Sequence, residues 1–230
     1  VCSSDLKLLT GAANASQLDS MLVIAPGVEI INRTGNLTLG TTTSNSTSDW
    51  SLHAFRYGSK SAPGVLTMRA SGDLVFYNAL SDGFTPLTSG TAGQRLWLGT
   101  VQTINPLLPT NTQSWSYNLT AGADLNAAGL GTVLPLTGLA ADRGSLLLGK
   151  NYPAVLPSVS GENATTASAI SSGGQDRYQV IRTGTGGISI NAGRDVRLLN
   201  QFASIYTAGA RLATPTSIFG TNDFVIPLVV

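Results

Sequence analysis

His53 is the one histidine of this chain and Cys2 its one cysteine. A zinc site draws three or four Cys, His or acidic ligands, and a serine–histidine–acid triad needs an imidazole, so both chemistries would have to run through His53. No Gly-Xaa-Ser-Xaa-Gly elbow presents a nucleophile. His53 is therefore read as a residue that packs a loop. The carboxylates are more suggestive. Asp73, Asp124 and Asp195 each come shortly after a glycine, in Ser71-Gly72-Asp73-Leu74, Ala121-Gly122-Ala123-Asp124-Leu125 and Ala192-Gly193-Arg194-Asp195-Val196. If such units stack, the three carboxylates align, and two carboxyls a few ångströms apart are what glycoside hydrolysis uses. A repeated corner accounts for them equally, because Asp side chains bond nearby backbone N–H groups in turns. We adopt the corner and assign no catalytic residue.

The remaining motifs reduce in the same way. Gly184-Thr185-Gly186-Gly187 lacks the Lys-Ser/Thr of a phosphate loop and the third spaced glycine of a dinucleotide fingerprint, so it is read as a corner. Ser172-Gly173-Gly174-Gln175-Asp176 has the flavour of a calcium-binding β-roll repeat, but that chemistry needs tandem copies and it occurs once. Gly193-Arg194-Asp195 is not Arg-Gly-Asp. Asn14, Asn32, Asn36, Asn45, Asn118 and Asn163 fit the glycosylation triplet, as chance supplies in a chain rich in Asn, Ser and Thr. No metal ligand and no cofactor-binding residue is assigned.

What must position these residues is a set of strand and corner units. From Tyr178 to Leu212, Ile188 and Ile190 alternate with Ser189 and Asn191, placing aliphatics on one face and small polar groups on the other. Ala192-Gly193 breaks the run, with Gly193 expected at the positive φ of a tight corner. Extended structure resumes at Val196, Leu198, Phe202, Ile205 and Tyr206 until Ala208-Gly209. Pro63 to Leu74 has the same order, Trp115 to Leu125 matches its Ala-Gly-Xaa-Asp core and Pro26 to Leu39 is a looser copy, with corner glycines Gly35, Gly72, Gly122 and Gly193. Their uneven spacing implies insertions between units. Strand and corner recurring without a long helical pattern predicts an all-β chain, a parallel β-helix with irregular loop insertions, in which each turn buries its aliphatic face on the next. A β-sandwich would give short strands too, but would not call for Ala-Gly-Xaa-Asp corners.

Composition agrees. Charged residues are 11% and the net charge is +1, against about 25% charged in typical soluble domains. No basic field exists to steer nucleic acid. A short helix is expected over 15–24, with Ser16 as cap; a loop over 40–49; an excursion bearing Trp50, Leu52, Phe55 and Tyr57 beside His53 and Arg56; strand-like residues at Val65 to Tyr77 and Arg95 to Leu98; a turn at Ser81-Asp82-Gly83; a buried strand at Leu146-Leu147-Leu148; and a flexible loop over 161–175. Val1 to Leu6 is what a common sequencing-adapter string encodes, and residues 1–6 are expected to be a non-native leader. Residues 7–230 are expected to form a single β-helical segment truncated at both ends, since the apolar Phe224 to Val230 lacks the polar cap a repeat array needs.

Ala25-Pro26-Gly27-Val28-Glu29-Ile30, Pro63 to Ala70, Leu80-Ser81-Asp82-Gly83-Phe84, Trp115-Ser116-Tyr117 with Ala121 to Leu125, and Arg182 to Gly186 through Gly193 to Val196 occur in this order. Together, from about Leu18 to Leu212, they resemble the filamentous haemagglutinin family of large bacterial exoproteins exported by two-partner secretion. The resemblance implies a right-handed shaft, secreted or displayed on the bacterial cell surface and used in adhesion. Implied partners are the adjoining coils of a longer exoprotein, an outer-membrane secretion partner and a host or bacterial surface receptor. The amino-terminal secretion domain is not in this sequence, so the chain is expected to be an internal segment without enzymatic activity. The alternative is a carbohydrate-active β-helix enzyme, a polysaccharide lyase or glycosidase.

Overall fold

The structure, a computed structural model, describes residues 25–43, 48–58, 60–84, 113–150, 179–200 and 203–210. The expected leader at 1–6, helix at 15–24, strand at 95–98, loop at 161–175 and apolar end at 224–230 lie outside the described residues. Among the described residues there are strands and short 3-10 turns but no α-helix.

The strands are β1 (Gly27–Asn32), β2 (Leu37–Leu39), β3 (Trp50–Ser51), β4 (Val65–Ala70), β5 (Leu74–Phe76), β6 (Leu80–Ser81), β7 (Ser116–Ala121), β8 (Leu146–Leu148), β9 (Val180–Thr183), β10 (Ile188–Ala192), β11 (Val196–Leu198) and β12 (Ser204–Thr207). They form three four-stranded sheets, ordered β1-β4-β7-β10, β2-β5-β8-β11 and β3-β6-β9-β12. Every pairing is parallel. The chain therefore visits the three sheets in rotation, and each visit lays one strand beside the strand from the previous visit.

Register turns this rotation into columns. Leu66 sits beside Tyr117 and Tyr117 beside Ile188; Met68, Leu119 and Ile190 form the next column, and Ala70, Ala121 and Ala192 a small-residue one. In the second sheet Leu74 stands beside Leu146 and Phe76 beside Leu148, and in the third Leu80 stands beside Ile181. Apart from the half-buried Ala192, these residues form one apolar cluster, with Leu74, Leu80, Tyr117, Leu119, Leu146, Leu148 and Ile181 fully buried and Ile188 and Ile190 packed against it. A one-residue slip in any strand would turn a whole column outward, so burial enforces the register.

The corners differ from expectation in an informative way. Gly122 does take positive φ, at 65°, but Gly35, Gly72 and Gly193 do not. Crowding explains two of them. A Cβ on Gly72 would lie 2.3 Å from Asn36 Oδ1 and 2.9 Å from the Gly35 carbonyl carbon, and one on Gly193 would lie 2.9 Å from Leu139 Cδ1. Corners stack as closely as strands do: Gly72 N–H donates to Gly35 C=O, and Gly122 N–H to Gly72 C=O.

Insertions enter at corners. Two of the connections from the first sheet to the second are three residues long (71–73 and 193–195), whereas the one after β7 runs over 122–145. That insertion bridges Ala123 to Val133 in antiparallel fashion. It returns over the outer side of the first sheet, where Thr120 donates to Leu130 C=O and Arg69 to Asp124 C=O. The expected excursion after residue 50 is also present, with a 3-10 turn at Leu52–Ala54 and a bridge from Tyr57 to Ala62. Trp50 and Ser51 themselves, however, are strand β3 of the third sheet, and the turn assigned to Ser81 begins one residue later, since Ser81 closes β6.

Candidate functional site

Asp124 does not share a position with Asp73 and Asp195. Backbone bonds show the column entering the second sheet: Leu37 N–H donates to Asp73 C=O, Leu74 N–H to Ser145 C=O, and Leu146 N–H to Asp195 C=O. The column is thus Asn36, Asp73, Ser145, Asp195. Asp124 lies at the mouth of the 122–145 insertion, where its Oδ1 accepts from Asn126 N–H at 3.0 Å in a local turn. The Ala-Gly-Xaa-Asp match holds for its first two residues and fails at the acid, because the chain leaves the stack there.

The two acids that do share the column stand two strands apart, about 9 to 10 Å by the spacing of paired strands, with Ser145 between them. Asp73 is also committed. Its Oδ1 accepts from Ser145 N–H at 2.9 Å and its Oδ2 lies 3.5 Å from Arg143. Asp195 is exposed. The three candidate carboxylates therefore form no facing pair, and each of Asp73 and Asp124 does the work of a turn residue.

A denser cluster lies at the corner between the third and first sheets. Asp82 is fully buried one residue after β6, and its two oxygens take Arg56 at 2.9 and 3.0 Å and Trp115 N–H at 2.7 Å. Trp115 Nε1 donates to Phe55 C=O at 2.8 Å, and Thr183 Oγ1 donates to Trp115 C=O at 2.7 Å. The Tyr117 hydroxyl donates to Arg182 C=O at 3.1 Å. Burial, with the Asp82 charge second, pushes that phenol well above its ordinary value, while Arg182 and Arg56 pull the other way. It stays protonated and remains a donor. On the outer side Arg182 donates to Ser81 Oγ at 2.8 Å and the Tyr206 hydroxyl at 3.2 Å, and lies 3.9 Å over the Phe84 ring. Such a cluster can tie three turns together. It cannot deliver a base to solvent, since Asp82 has no exposure and its oxygens are occupied.

This cluster was the part least visible in the sequence. Asp82 reads as a turn acid, and only its place before Gly83, at φ 76°, hints that it marks a corner. Arg56 comes from an insertion 26 residues upstream. His53 sits in the 3-10 turn of the same insertion. Gly184 to Gly187 is a corner as expected, joining β9 to β10, and a Cβ on Gly186 would lie 2.0 Å from Trp115 C=O oxygen. Among the described residues no three His, Cys, Asp or Glu side chains gather as metal ligands, and no helix is long and apolar enough to cross a membrane. No protein-family model, curated protein or solved structure matches the chain.

Proposed function

We propose that the three sheets are the faces of a right-handed parallel β-helix, and that this chain is a non-enzymatic shaft segment of a secreted or surface-displayed filamentous adhesin. The observation that carries the reading is the unbroken set of interior columns, such as Leu66, Tyr117 and Ile188, built from strands that follow one another through three sheets in turn. A shaft requires that each turn repeat the last along one axis, and parallel in-register strands supply that translation at about 4.8 Å per turn. Insertions confined to corners leave the translation intact, so a shaft can carry them as surface features. Support for the secreted family comes from the ordered segments Pro63 to Ala70, Trp115 to Leu125 and Arg182 to Val196. In this reading its neighbours are the adjoining coils of a longer exoprotein, an outer-membrane secretion partner carries it out, and a surface receptor is met elsewhere on that protein.

The test is export. The chain is fused behind the secretion domain of a filamentous haemagglutinin and produced with the matching outer-membrane transporter. The expected result is release of a protease-resistant, β-rich product into the medium. Retention in the periplasm, or release of a product cut throughout the columns described above, would overturn the reading.

A further inference from the structure

Asp82-Gly83 is the one Asp-Gly pair of the sequence, and no Asn-Gly pair occurs. Such a pair carries its own chemistry. The main-chain nitrogen after an aspartate can attack the side-chain carbon Cγ and close a five-membered succinimide, and glycine, having no Cβ, obstructs that attack least. The corner cannot do without this glycine. Gly83 stands at φ 76°, where a side chain is strained, and a Cβ on it would lie 2.2 Å from Ser114 Oγ and 2.5 Å from Gly184 N. The fold therefore sets the most reactive aspartyl sequence of the chain at a fully buried position. Two groups hold it still. Trp115 N–H donates to Asp82 Oδ2 at 2.7 Å, and Arg56 Nη2 donates to Oδ1 and Oδ2 at 2.9 and 3.0 Å, so Cγ is not free to turn onto the nitrogen of Gly83. The first tie belongs to the approach to β7. The second belongs to the excursion, which leans on the stack through Trp115 Nε1, donating to Phe55 C=O at 2.8 Å, and through Tyr57, edge-on to the Trp115 ring with centroids 6.1 Å apart. Arg56 itself is 18% exposed.

We propose that Asp82-Gly83 is a self-modification site and that the excursion, through Arg56, is the strap that keeps it inert. Surface excursions open locally at far lower cost than a packed core. When the strap lifts, the nitrogen of Gly83 bonds to Cγ of Asp82, and one carboxyl oxygen leaves as water, carrying the amide hydrogen and a proton from solvent. Water then opens the ring and returns the proton. Attack at Cγ restores Asp82. Attack at the main-chain carbonyl carbon breaks its bond to nitrogen, frees an α-carboxylate and leaves the chain running through Cβ and Cγ as a β-aspartyl link. Water is the sole co-reactant, and nothing is oxidised or reduced. The new link adds one carbon to the main chain at a corner where a single Cβ would already meet Ser114 and Gly184, so the strap cannot close over it again. A reversible opening becomes a permanent one.

The test counts β-aspartyl at position 82. The full chain is held for weeks in warm, mildly acidic buffer, folded and in urea, then digested, and the linkage is located by mass spectrometry with electron-transfer fragmentation. The chain in urea is expected to accumulate it at least tenfold faster than the folded parent. Arg56→Met, shown to be folded by a cooperative melt, is expected to recover most of that difference, and Arg56→Lys to fall between. Leu146→Ala, which weakens the core away from the strap, is expected to stay within twofold of the parent. Should Arg56→Met fail to fold, Trp115→Phe carries the comparison, since it removes the bond to Phe55 C=O and keeps the main-chain N–H on Asp82; it is expected to accelerate the reaction at least threefold. A folded parent as fast as the chain in urea overturns the proposal, as does a chain in urea that forms no β-aspartyl at 82. A folded strap variant as slow as the parent, or Leu146→Ala as fast as the strap variant, also overturns it, because burial alone or global unfolding would then govern the reaction.

Discussion

Leu139 sets its two methyl carbons against three glycines that belong to different parts of the chain. A Cβ would approach it to 2.9 Å from Gly122, 2.7 Å from Gly144 and 2.9 Å from Gly193. Gly122 and Gly144 are also held at φ 65° and 95°, but Gly193 is not. The three glycines should therefore respond differently. Gly193→Ala is expected to cost about 1 to 2 kcal/mol by overpacking. In a Leu139→Ala background that cost should vanish or reverse, since Ala at an ordinary φ restricts the unfolded chain. Gly122→Ala should stay costly in both backgrounds, because its strain is in the backbone. Urea denaturation of the three single and two double variants closes both cycles. Tyr117 makes a second residue-scale prediction. Its phenol is raised in the folded state, so above about pH 10 the unfolded chain holds fewer protons than the folded one, and stability falls as pH rises. Tyr117→Phe should lose about 1 kcal/mol at neutral pH through the missing bond to Arg182 C=O. It should then fall less steeply than the parent between pH 9 and 11, which denaturation midpoints at several pH values will show.

At the scale of the element, the 122–145 insertion is an addition to a corner that elsewhere takes three or four residues. Its ties to the stack are few: side-chain bonds from Thr120 to Leu130 C=O and from Arg69 to Asp124 C=O, the Arg143 pairing with Asp73, Leu139 on the glycines, and single backbone bonds at its two mouths, Ala123 N–H to Ala70 C=O and Arg194 N–H to Gly144 C=O. None carries a strand pairing. Replacing 123–144 with a two-residue link should leave β7 and β8 in place and shift stability by no more than about 2 kcal/mol, because loop length itself costs little. Retained β-sheet dichroism with a single unfolding transition is the expected result; loss of cooperativity would mean the insertion nucleates the corner. The Leu52 to Ala62 excursion is different in kind, for it delivers Arg56 to the buried Asp82. Asp82→Ala leaves a guanidinium at 18% exposure without that carboxylate and should cost about 3 kcal/mol. This penalty should exceed that of the insertion deletion, as thermal melts of the two variants will compare.

For the whole molecule, stability should grade from the middle of the stack to its ends. Leu146 and Leu198 are both leucines of the second sheet, the first fully buried and the second 51% exposed. Leu146→Ala should cost about 3 to 4 kcal/mol through transfer and cavity terms, and Leu198→Ala less than half as much. Equal losses, measured at dilute concentration, would mean the end columns are covered after all. Hydrogen exchange should follow the same gradient, slowest in β4, β5, β7 and β8 and fastest at the edges of β1 and β11.

Local pattern is enough to find the longer strands of the first sheet, because period-two alternation is a property of neighbours in sequence, but not the two-residue strands Trp50–Ser51 and Leu80–Ser81. Ile188 and Ile190 and Val65 to Ala70 announce themselves that way, Leu146 to Leu148 does so as a continuous apolar run between Gly144 and Gly149, and the repetition of such units predicts an all-β chain of parallel strands. What repetition could not show is which corner residues end up beside each other. Asp124 follows the same Ala-Gly-Xaa spacing as Asp195, yet the next residue that re-enters the column is Ser145, and only the pairing of β8 with β5 and β11 reveals it. The glycines mislead for the same reason: Gly193 is required by the approach of Leu139, a contact across 54 positions, and not by its own φ. The bond of Arg56 to Asp82 and the burial of Tyr117 are likewise decided when successive turns stack. Secondary structure is dictated by residues two apart, while the chemistry of a corner depends on whatever the previous and following turns place within about 4 Å of it.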